Sequence, residues 1–148
     1  MTLSDIGAVS NPQEDTISSY VYHSLLIPIH HEHWESNPNN SVHTQAFNSI
    51  SHALTRKSYN DRVNAFEKRF STNYKPDLLV LTAEEAAFWG ADEGLAIIYD
   101  NYESRGSTGI ELLLRSNNSI LQISIFTKSY TTLDDIREAV LRVWDGLE

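Results

Sequence analysis

Six histidines, His23, His30, His31, His33, His43 and His52, fall within one thirty-residue stretch, and the run His30-His31-Glu32-His33-Trp34 packs three of them into five positions. Imidazole binds divalent metals such as zinc and titrates near neutrality, so metal chemistry is the first question these residues raise. In an extended backbone His31 and His33 project from the same side, with Glu32 opposite and His43 or His52 as a third ligand. The set His31, His33 and His43 is therefore the candidate metal site. It would serve a small metal-dependent or acid/base hydrolase or lyase. In a helix His30 and His33 would be neighbours instead, and the helix-borne H-E-x-x-H pattern of metalloproteases is absent. The simpler chemistry is that these are loop imidazoles supplying hydrogen bonds where no Lys or Arg is available, and that reading requires no cofactor. His23 stands apart on the apolar side of its own run, as expected of a hydrogen-bonded core imidazole.

Carboxylates recur at Glu84, Glu85, Asp92, Glu93, Asp100 and Glu103. A general acid and base would need two of them in environments that separate their pKa values. Glu85 is already explained as a helix cap, Glu84 suits a helix N-terminus, and Asp92-Glu93 precedes Gly94 in a turn-like context. A solvated acidic face that meets a basic partner needs fewer assumptions. The basic segment Arg56, Lys57, Arg62, Lys68, Arg69 and Lys75 interleaves with Tyr59, Phe66, Phe70 and Tyr74, the combination a single-stranded nucleic acid would use. Those aromatics fall on the segment's own apolar stripe and so read as core. Of the three tryptophans, Trp144 and Trp89 belong to apolar stripes, while Trp34 sits among polar residues and is the candidate exposed anchor.

The charge distribution agrees with recognition of a cation. The formal charge of −9 conceals a first 55 residues without Lys or Arg, a basic stretch over 56–75, and a strongly acidic remainder. Such a surface repels phosphates, which disfavours nucleic acid as a partner. Cysteine is absent, which excludes disulfides and thiolate chemistry, and there is no Walker loop, G-x-G-x-x-G, G-x-S-x-G elbow or EF-hand loop. No apolar run reaches the ~20 residues that span a bilayer, and Met1-Thr2-Leu3-Ser4-Asp5 does not resemble a signal peptide. Cytoplasmic location without membrane association is the expectation.

The elements that would position these residues follow from periodicity. Residues 1–17 lack either period and are expected to form a flexible arm, with one domain over 18–148. Alternation from Ser19 to Ile29 predicts a strand, and the turn formers from His30 to Asn40 predict a loop. Phe47, Ile50 and Leu54, then Tyr59, Val63, Phe66 and Phe70, repeat at helical spacing but out of phase across Arg56–Asn60, which fits one kinked helix or two consecutive helices; the capping residues Ser58, Asn60 and Asp61 favour a break. Leu78-Leu79-Val80-Leu81 predicts a short strand covered on both faces. Thr82-Ala83-Glu84-Glu85 predicts a capping box opening a short helix that Gly90 stops.

Leu95–Asp100, Ile110–Arg115 and Ile120–Phe126 predict three strands, the last two joined by a tight turn at Asn117-Asn118. A final helix carries Ile136, Ala139, Val140, Val143, Trp144 and Leu147 on one stripe, with Thr132 as its cap. The fold class expected is α+β: an antiparallel sheet with a C-terminal three-strand meander and helices packed on one face. The function expected is a small acidic protein-binding module, of the inhibitor, immunity or escort type, neutralising a basic protein partner through Trp34, Glu84, Asp92, Glu93, Asp100 and Glu103. Homo-oligomerisation through an exposed meander edge is the other association the pattern allows.

Overall fold

The computed structural model describes residues 1–2, 5, 16–22, 29–70, 78–100, 108–127 and 133–145. Among the described residues seven strands and three helices follow in the order β1 (Thr16–Tyr22), β2 (Ile29–Asn37), β3 (Asn40–Asn48), α1 (His52–Phe70), β4 (Leu78–Val80), α2 (Ala83–Phe88), β5 (Glu93–Asp100), β6 (Thr108–Ser116), β7 (Ser119–Thr127) and α3 (Leu133–Asp145). The strands make one sheet in the order β1-β2-β3-β7-β6-β5-β4, with every pairing antiparallel. The chain has the α+β class its sequence predicts. The meander of β5, β6 and β7 is extended outward by β4, and a second meander of β1, β2 and β3 joins it where β3 pairs with β7.

The helices do not share one face, contrary to expectation. Ile136 and Val140 of α3 and Trp89 after α2 pack with Val42, Ala96, Leu112, Leu114 and Ile123 in one cluster. Tyr59 and Phe66 of α1 pack with Phe47, Leu95, Ile97, Leu113 and Ile120 in the other. Side chains alternate along a strand, so these clusters lie on opposite faces of the sheet. The cause is visible in β6, where Leu112, Leu113 and Leu114 are all fully buried and both sides must be covered.

Two further expectations are corrected. Residues 30–40 are not a loop: β2 and β3 form a hairpin around Pro38-Asn39, in which the Asn37 side-chain oxygen accepts hydrogen bonds from the backbone amides of Asn39 and Asn40 at 3.0 and 2.9 Å. The strand hides in the sequence because the residues that alternate along it are polar. The helix over 52–70 is also unbroken. Its buried stripe runs through Thr55, Tyr59 and Phe66, whereas Phe47 belongs to β3 and Ile50 is 80% exposed. Thr55 can sit in the core because its hydroxyl donates to the carbonyls of Ser51 and Asn118 at 3.0 and 3.1 Å.

The turn chemistry of the C-terminal half matches its sequence. Asn117 adopts φ +47° in the β6–β7 turn, and Gly90 adopts φ +72° after α2. No helix among the described residues is long and apolar enough to cross a membrane.

Candidate functional site

The sheet ends at β4, three residues long and paired only with β5 among the described strands. The Leu81 amide donates to the Gly94 carbonyl at 3.0 Å. Because antiparallel pairing alternates, the backbone groups of Leu79 also face β5, and those of Val80 face away from it. Leu79 is 47% exposed and Val80 71% exposed, so among the described residues β4 is an open edge and not the doubly covered strand its apolar run predicts. Beside it, Thr82 and Glu85 form the reciprocal capping box of α2. The Glu85 carboxylate accepts from the Thr82 amide at 2.7 Å and from its hydroxyl at 2.9 Å. Those bonds hold the Glu85 carboxyl below the usual range.

This short helix stands over the edge of the sheet and leaves a groove of about 350 Å³ between them. Leu79, Leu81, Phe88 and Trp89 form its walls, Ala96, Ile110 and Leu112 its floor, and Glu84 and Glu85 its rim. Trp89 is fixed from behind by the Trp144 indole, which donates to its carbonyl at 2.9 Å, and Phe88 meets Trp89 edge-on at 5.1 Å. Arg137 of α3 donates to the Phe88 carbonyl at 2.7 Å and lies over the Phe88 ring. The groove is therefore apolar inside and carries the Glu84 and Glu85 carboxylates at its lip.

Of the acidic residues expected to form one partner surface, Glu84 is at this rim. Asp92 and Glu93 are engaged elsewhere, around the buried guanidinium of Arg115. Glu93 accepts from Arg115 Nε, while Asp92 accepts from the Asn117 amide at 2.8 Å and lies 3.9 Å from Arg115 Nη1. Asp100 is the last residue of β5, and Glu103 lies outside the described residues. Trp34 is 45% exposed, as expected of an anchor, but it lies on β2, across the sheet from β4. Leu79 and Leu81 are the groove residues whose run the sequence placed in a strand covered on both faces. The signal that could have found them is the brevity of that strand.

The histidines divide between faces. His31 and His33 share one side of β2 with Glu35, and the register pairs them with Ala46 and Thr44 of β3. His43 pairs with Trp34 and points to the opposite side, where its Nε2 lies 2.7 Å from Glu32 Oε1. The structure thus brings His31 and His33 together and separates them from His43. No group of three or more His, Asp or Glu side chains among the described residues is arranged to hold a metal ion. His52 is exposed on α1 with Nδ1 3.2 Å from the Asn117 carbonyl, and His23 lies outside the described residues.

No family model matches the chain, and no curated protein matches it. Its fold is similar to that of the extracellular domain of PknH from Mycobacterium tuberculosis, with a TM-score of 0.57 over 98% of this chain and 88% of that one. At 12% sequence identity this likeness concerns the fold alone.

Proposed function

We propose that this chain is a protein-binding module that takes a basic, extended segment of a partner protein along the open edge of β4. The observation that supports this most is the groove beside that edge, whose apolar walls are rimmed by Glu84 and Glu85. An added strand would hydrogen-bond to the outward backbone groups of Val80 and set alternate side chains against Leu79 and Phe88. Lys or Arg residues of the segment would face the rim carboxylates. Charge of this kind mainly raises association rate and selectivity, and affinity comes from the buried apolar anchors. An inhibitor, immunity-type or escort role is the form of binding this reading favours, since each requires capture of a cationic partner without turnover.

The test is a nuclear magnetic resonance titration with two extended peptides that share alternating valines and differ only in lysine or glutamate at the intervening positions. The lysine peptide should shift the amides of 79–81 and 84–89 saturably, and Leu79→Asp should abolish the response. Equal responses to both peptides, or shifts confined to other strands, would refute the reading. A mass that doubles with concentration and reverts in Leu79→Asp would reassign the edge to a second copy of the chain.

A further inference from the structure

Helix α1 covers only part of its face of the sheet, where it packs over Leu95, Leu113, Ile120 and Phe47. Side chains alternate along a strand, so the same face continues from Phe47 through Gln45 and His43 on β3, and from Ile120 through Gln122 and Ser124 on β7. The register sets Glu32 of β2 beside Gln45, and Trp34 beside His43. Two rows result: Trp34, His43 and Ser124 in one, Glu32, Gln45 and Gln122 in the next, with Phe126 at the border. Trp34 is 45% exposed in the middle of its strand, and none of the other five is buried. A tryptophan so placed adds little to the core, and the β4 groove makes no use of it.

The polar groups of this patch orient one another. Glu32 Oε1 lies 2.7 Å from His43 Nε2 and accepts from Gln45 Nε2 at 3.3 Å. A carboxylate can only accept, so the neutral His43 ring carries its proton on Nε2 and offers Nδ1 as an acceptor. Arg62 of α1 donates to Gln122 Oε1 at 3.1 Å, which leaves the Gln122 amide nitrogen as a donor. Gln45 keeps its oxygen as an acceptor, and the Ser124 hydroxyl serves both ways. Donors and acceptors are thus mixed across three strands, about 10 Å, beside an indole. The charges on this face oppose one another: Glu32 and the buried Glu111, next to Ser124 in register, stand against Arg62, whose guanidinium lies 3.6 Å from the centre of the Phe47 ring. Neither sign of ion is selected. A protein partner would call for an apolar centre, whereas this patch is polar apart from Trp34 and the bordering Phe126. Sugar hydroxyls each donate and accept, and the C–H face of a pyranose ring suits the electron-rich face of an indole.

We propose that this patch binds a neutral, extended oligosaccharide, with one pyranose ring stacked on Trp34 and the next hydrogen-bonded to Gln45 and Gln122. An open sheet face favours an extended β-linked chain over a coiled α-linked one. The site does not rest on the reading of the β4 edge. Its test titrates the full chain with cellotriose, chitotriose and maltotriose, and with trilysine and triglutamate as charged controls, following the Trp34 indole and Gln122 amide resonances. At least one of the two β-linked sugars should shift both saturably at millimolar concentration, more tightly than maltotriose, and neither tripeptide should. Trp34→Ala should weaken the binding read at Gln122 at least about ten-fold, the effect of losing an aromatic anchor. Gln122→Ala should weaken the binding read at Trp34 about five-fold, as for one hydrogen bond between neutral groups. The unfolding midpoint of the free Trp34→Ala protein should be unchanged. No saturable response to either β-linked sugar, binding indifferent to Trp34→Ala, tighter binding of maltotriose, or an equal response to a tripeptide would overturn the proposal. A mass that doubles with concentration and reverts in Trp34→Ala would assign the face to a second copy of the chain, and would overturn it as well.

Discussion

Arg115 places a guanidinium inside the sheet, with a side chain 6% exposed, and Glu93 and Asp92 are what make that tolerable. Removing one partner of a buried pair leaves an uncompensated charge, so Glu93→Ala should cost about 3 kcal/mol in urea unfolding. Asp92→Ala, whose carboxylate is farther from the guanidinium, should cost about 1 kcal/mol. The same neighbourhood controls Tyr59, whose phenol is pushed up to about 12, chiefly by burial and then by the Glu93 charge. In the unfolded chain that phenol ionises near 10, so between these values the unfolded state holds fewer protons and stability falls as pH rises. Its contribution is complete below the lower value and lost through the upper, amounting to as much as about 3 kcal/mol. Tyr59→Phe should flatten this alkaline limb in unfolding midpoints measured across that window. At this scale the sequence told little: Asp92 and Glu93 look like free surface carboxylates, because nothing local reveals an arginine 22 positions away in register with Glu93.

Elements were legible wherever their signals were local. The capping box of α2, its Gly90 stop and the β6–β7 turn could all be read, since each depends on backbone chemistry within a few residues. Gly90→Ala provides a check on that chemistry. A Cβ there would meet a positive φ and come within 2.8 Å of Leu141 Cδ2, and the substitution should lower stability by about 1–2 kcal/mol. The elements misread were those whose buried stripe is polar. Thr55 continues the inner face of α1, and His33 with Glu35 continues that of β2, so a hydrophobic period does not register there. Brevity misled in the opposite direction. Leu78-Leu79-Val80 looks like a covered strand, but it pairs with β5 on one side only among the described strands.

For the whole molecule, composition and strand count were enough to set the class, and the arrangement of layers was not. Continuous apolar runs such as Leu112-Leu113-Leu114 imply cover on both faces, yet which helix covers which face depends on connections that span the sheet. The acidic balance remains informative through the partner proposed for the β4 edge. Glu84→Lys should slow association with a basic segment several-fold at low salt, and the difference should shrink toward physiological ionic strength, measured by stopped-flow mixing. One feature of the sheet reaches further. The two meanders are stitched by the β3–β7 ladder, in which Asn40 sits beside Thr127, 87 positions along the chain, and the Thr127 hydroxyl donates to the Asn40 side chain at 2.7 Å. Bringing those strands into register requires a long loop to close before its contacts give any return, so refolding should take on the order of milliseconds to seconds. Until it happens, the inward edges of both β3 and β7 are exposed to other copies of the nascent chain. The seam is therefore where crowding during synthesis would do the most harm.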